Sequence, residues 1–127
     1  MPIMERNEGE GLVSIRGFSG HGFRVGDTVH AAGLLIWPEA ASPWSPPPFD
    51  ALGLEDFTAL GAIQPEIELL LIGSGATLRR PPRPLIEALN ARGIGVEPMD
   101  SRAAARTYNL LVGEARRVAA ALYPLNA

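Results

Sequence analysis

The chain contains no cysteine and no lysine. The first absence excludes disulfides, thiol catalysis and cysteine-ligated zinc or iron–sulfur centres. The second excludes a phosphate loop built on Gly-Lys-Ser or Gly-Lys-Thr, and leaves arginine as the basic side chain. Histidine is scarce too. His21 and His30 stand in one N-terminal stretch without clustered carboxylates, so no metal site and no cofactor are expected. Basic charge is not in excess. The formal net charge of −3 gives no overall attraction for nucleic acid or acidic lipid. No apolar run approaches the roughly 18 residues that span a bilayer. The opening segment MPIMERNEGEG is acidic and lacks both the apolar core of a secretory signal and the Arg-rich character of a mitochondrial presequence. The expectation is a cytoplasmic protein without a transmembrane segment, with peripheral membrane contact left open.

What is present fits one globular unit. The 127 residues are 46% hydrophobic, enough for a single core. We expect a flexible tail at 1–10 and a single α/β domain at 11–127. The stretch LVSIRGF alternates like a half-buried strand. Gly20-His21-Gly22 and Gly26-Asp27 supply turns, and Gly33-Leu34-Leu35-Ile36-Trp37 reads as a strand buried on both faces. Together these predict an N-terminal antiparallel β-meander. Residues 38–48, PEAASPWSPPP, predict a stiff irregular crossover with Trp44 as a lid on the core. A short helix is expected over 54–60, with Glu55 and Asp56 near its positive end.

The second half predicts a βαβ unit. Residues 67–72 form the strongest strand, the helix 84–92 opens on Pro84 and closes at Gly93, and a strand follows from Gly95. Asp100 and Ser101 are cap candidates for a long C-terminal helix running from about Arg102 to Leu122. Its apolar stripe is Ala104, Tyr108, Leu111, Ala115, Val118 and Leu122.

Residues 69–84, LLLIGSGATLRRPPRP, raise the sharpest chemical question. A glycine-rich exit from a central strand can gather backbone N–H groups around an anion, at the edge where α/β sheets keep their crevice. The dinucleotide fingerprint needs a third glycine and an immediate helix; this loop has neither. The hydrolase elbow needs glycines two positions either side of the serine; Ser74 has Ile72 and Ala76. No catalytic residue is therefore assigned. Gly73, Ser74, Gly75, Arg79, Asp100 and Ser101 stay as a candidate anion or small-ligand crevice, against the plainer reading of a structural turn. Arg102, Arg106, Asn109, Arg116 and Arg117 are a candidate basic strip for an acidic protein partner, against the plainer reading of a solvated helix face.

Four segments carry a resemblance: the IGSG turn at Ile72–Gly75, GIGVEPMDS at Gly93–Ser101, RTYNLL at Arg106–Leu111 and EARRVAAAL at Glu114–Leu122. In that order and spacing, with RGFSGHGFRV and Pro43-Trp44 before them, the chain resembles a former domain-of-unknown-function family. That family includes the third mitochondrial complex I assembly factor and the adipogenesis-associated domain proteins. The resemblance implies a single α/β domain and no settled enzymatic activity. With the absent catalytic motifs it implies a non-catalytic protein-interaction module, an assembly or accessory factor for a membrane complex. A small-ligand binder or enzyme using the Gly73–Gly75 crevice is the alternative. Nucleic-acid binding is not expected, because nothing reads as an aromatic–basic platform. The sequence fixes neither the partner nor an oligomeric state.

Overall fold

A computed structural model describes residues 11–127; the tail expected at 1–10 lies outside them. Three short strands come first: β1 (Gly17–Ser19), β2 (Gly22–Val25) and β3 (Thr28–His30). They form a small antiparallel sheet in the order β1-β2-β3. Then come β4 (Leu34–Trp37), β5 (Ala40–Pro43), two 3₁₀ segments (Phe49–Ala51 and Leu54–Ala62), β6 (Leu69–Gly73), α1 (Arg83–Ala91), β7 (Gly95–Met99), α2 (Ser101–Gly113) and β8 (Val118–Leu122). The main sheet is ordered β5-β4-β8-β6-β7. Its β4 pairs are antiparallel, while β6 runs parallel to both β7 and β8. The chain is thus a mixed α/β domain, and the predicted βαβ unit is there.

The three inner strands β4, β8 and β6 are buried on both faces, and alternation along them sorts the core into two layers. Leu35, Leu70, Ile72, Ala119 and Ala121 face α1 and the 3₁₀ segments, through Leu85, Leu89, Phe57 and Leu60. Leu34, Ile36, Leu71, Val118, Ala120 and Leu122 face α2 and the small sheet, through Ala104, Ala105, Tyr108, Val112 and Phe23. Helix α1 ends as its sequence predicts. Gly93 adopts φ +81°, its N–H reaches the Asn90 carbonyl, and the Ile94 N–H reaches the Leu89 carbonyl. That is a Schellman closure, with Leu89 and Ile94 in the same core layer.

Five expectations are corrected. The strand expected over LVSIRGF does not form before Gly17, where β1 begins. The C-terminal helix stops at Gly113, and residues 118–122 are the central strand β8, fully buried. The reversal is local: Ala115 takes φ +63°, its N–H bonds the Val112 carbonyl, and the Arg116 N–H bonds the Leu111 carbonyl. Alanine therefore sits where such a closure normally has glycine. The meander ends at β3; β4 belongs to the main sheet because its apolar run needs cover on both faces. The run 38–48 is not wholly irregular: Ala40–Pro43 pairs with β4, and Pro43 is tolerated because β5 is an edge. The segment at 54–62 is 3₁₀ and breaks at Phe57 (φ −125°). Trp44 does cap the core, against Phe57 (5.7 Å) and Tyr123 (5.4 Å).

Candidate functional site

The predicted crevice residues do meet, at the end of β6, but their polar atoms are engaged with the chain itself. The Ser74 hydroxyl is buried and donates to the Thr77 carbonyl (2.6 Å), with the Met99 carbonyl at 3.1 Å; it accepts from the Arg79 N–H (2.9 Å). The Ser101 hydroxyl, wholly buried, accepts from the Gly75 N–H and donates to the Tyr123 carbonyl, each at 2.8 Å. Asp100, not Ser101, is the helix cap: its carboxylate accepts from the Ala103 N–H at 2.9 Å. Backbone bonds close the joint. The Ser74 N–H reaches Met99, the Ser101 N–H reaches Gly75, and the Tyr123 N–H reaches Gly73, each at 2.9 Å.

The glycines are required by contact. A Cβ on Gly73 would lie 2.7 Å from a Leu122 methyl and 2.9 Å from the Ser101 Cα. Gly75, at φ +98°, lies against the Ala127 carbonyl, which accepts the Ala76 N–H at 3.0 Å. The space a crevice would need between Gly73 and Gly75 is filled by Ser101, Leu122 and Ala127. Arg79 turns away from this loop and stacks over the Phe49 ring, 4.4 Å from its centre.

Phe49 in turn packs edge-on to Tyr123 at 5.3 Å. The Tyr123 hydroxyl donates to the Pro47 carbonyl at 2.7 Å. Its pKa is pushed up to about 12, chiefly by burial and then by Asp56, with Arg79 opposing. Tyr108 is raised further, first by burial and then by Glu39, with Arg117 opposing. Both phenols stay protonated at neutral pH and act as donors to backbone carbonyls.

The predicted basic strip separates into two groups. Arg102 and Arg106 are exposed on α2, and Arg102 covers the Phe18 ring at 4.8 Å. Asn109 and Arg117 are instead engaged within the chain. The Asn109 carboxamide accepts from the Ile15 N–H (2.9 Å) and donates to the Ile15 carbonyl (2.8 Å), as a neighbouring strand would. Beside it the Tyr108 hydroxyl donates to the Val13 carbonyl at 2.8 Å. Arg117 forks onto both Glu39 oxygens and also donates to the Pro65 carbonyl. Arg116 lies beyond the helix, exposed.

Two exposed aliphatic side chains stand beside arginines. Leu110, 62% exposed, continues the outer row of α2 from Arg102 and Arg106; its four-residue spacing was the available signal. Leu78, 64% exposed, stands beside Arg79 and Arg80; an aliphatic residue between glycine and arginine runs was the available signal there. The Asn109 and Tyr108 partners lie more than ninety positions away, and no local pattern announces them.

These observations define a three-layer α/β domain whose strand-end loop is a packed joint and whose outer surface carries arginine with isolated aliphatic side chains. A family model described as protein of unknown function (DUF498/DUF598) matches residues 15–123, and the chain belongs to that family. An uncharacterized protein of Rhodobacter capsulatus is 43% identical over 91% of this chain and 87% of its own length. The NADH dehydrogenase [ubiquinone] 1 alpha subcomplex assembly factor 3 of Danio rerio is 32% identical over 96% of this chain and 70% of its own length. The crystal structure of a Bordetella parapertussis protein superposes with a TM-score of 0.79 and 30% identity, covering 91% of this chain and 98% of that one. No helix among the described residues is long and apolar enough to cross a membrane.

Proposed function

We propose that this protein is a non-catalytic interaction module that serves as an accessory or assembly factor for a membrane-bound respiratory complex. On this reading it works from the cytoplasm of a bacterial cell. One observation carries the proposal: the hydroxyl and carboxamide groups best placed for chemistry are engaged by the backbone. Ser74, Ser101, Tyr108, Asn109 and Tyr123 each hold a strand end or a loop. Gly73, Ser74, Gly75 and Ser101 then hold the fold, not a ligand. The kinship with proteins named as complex I assembly factors supports the same reading, although fold alone transfers no function.

The partner face we assign is the outer row of α2, Arg102, Arg106 and Leu110, with no carboxylate between Asp100 and Glu114. Such a face suits an acidic protein surface that offers one apolar contact. The test is affinity capture of the tagged chain from native membranes and from cytosol. Subunits of one membrane complex should be recovered in stoichiometric amount, and Arg102→Glu with Arg106→Glu should remove them. Recovery of no stoichiometric partner from either fraction would sink the reading.

A further inference from the structure

We infer that the loop at 76–83 is a surface-binding element for anionic lipid, with Leu78 as the inserting side chain and Arg80 and Arg83 as the headgroup contacts. This rests on observations separate from the α2 face and does not require the accessory-factor reading.

The loop is exposed from Ala76 to Arg80, yet its base is tied down. Ser74 bonds both the Thr77 carbonyl and the Arg79 N–H, Arg79 is stacked on Phe49, and Pro81 is buried. Leu78 is thereby presented outward at the centre of a braced turn, 64% exposed. Ordering cost on binding is low for a loop already held in shape. Charge points the same way. No acidic residue occurs between Glu68 and Glu87, while Arg79, Arg80 and Arg83 stand within five positions. The chain carries −3 in all, so without these three arginines the remainder carries −6. The segment is thus basic within a chain that is acidic overall, and its arginines supply the local attraction for an anionic surface. Neither Arg80 nor Arg83 has an ion-pair partner among the described residues. An apolar side chain beside a basic cluster is the two-signal arrangement that peripheral membrane binding needs.

The experiment is flotation of the full chain with vesicles containing phosphatidylglycerol and with vesicles of phosphatidylcholine alone. Binding should be confined to the anionic vesicles and should disappear at high salt. Arg80→Gln and Arg83→Gln should each weaken it about fivefold, and Leu78→Ser about tenfold. All three side chains are exposed, so the variants should melt as the parent does. Inorganic phosphate at matched ionic strength should leave binding unchanged; displacement by it would replace the lipid surface with a discrete anion site and overturn the proposal. So would failure to float with anionic vesicles at low salt, or equal flotation of the triple variant. Binding only to native membranes, abolished by protease, would assign the loop to a protein partner and overturn it as well.

Discussion

Residues 101–113 and 118–122 share one apolar period, yet the first is a helix and the second a strand. Both segments are rich in alanine, the strongest helix former. The difference lies in what covers them. Helix α2 has one buried side, at Ala104, Ala105, Tyr108 and Val112, and one exposed side, at Arg102, Arg106 and Leu110. Strand β8 has no exposed side: Val118 through Leu122 are all at 0% exposure, between β4 and β6. Its small alanines let the core layers on both sides of the sheet approach closely. Burial and the backbone bonds of two neighbouring strands outweigh a helical preference of a few tenths of a kcal/mol per residue.

Enlarging the strand should break this contrast most severely. Ala120→Leu adds three carbons at a wholly buried position and should destabilise by about 3 kcal/mol. Urea unfolding measures it; a cost below about 0.5 kcal/mol, the size of an ordinary surface change, would refute the buried strand. Next in size is the inward side of α2. Asn109→Ala strands the Ile15 N–H and carbonyl and should cost about 2 kcal/mol. Amide exchange at Ile15 should accelerate in the same variant; unchanged protection there would remove Asn109 from the pairing.

The junction between the two segments offers a smaller change of opposite sign. Ala115→Gly relieves the left-handed strain and should stabilise by roughly 1 kcal/mol. A lower melting temperature in this variant would contradict the closure. The smallest effect belongs to the outer face. Arg102→Glu with Arg106→Glu should alter stability by no more than about 0.5 kcal/mol, while partner capture is lost. A marked destabilisation would show that this row, like Asn109, supports the fold. The loss of the Arg102 contact with Phe18 is the part of that variant to watch.

Much of the fold was legible because its signals are local. The β6–α1–β7 unit announces itself through an apolar run, a proline at the helix start and a glycine at its end. The end of α2 was illegible for an equally local reason: alanine occupies the position where glycine would have marked the stop, and Gly113 falls just inside the helix. The role of the candidate site was less legible than its membership. Ser74, Gly75 and Ser101 are a candidate cluster in the sequence, and they do meet; that the two serine hydroxyls serve Thr77, Met99 and Tyr123 depends on contacts up to 25 positions apart.

The sequence by itself determined the class of protein: one α/β domain, without thiol or lysine chemistry, carrying family segments in order. Periodicity, turn residues and missing residue types act within a few positions, so they survive without a fold. Only the tertiary structure decided that VAAAL is a central strand, that Asn109 turns inward and Arg117 pairs with Glu39, and that the glycine-rich loop is closed. Each of those outcomes is set by burial against residues distant in the chain, where packing and unpaired backbone groups outweigh local preference.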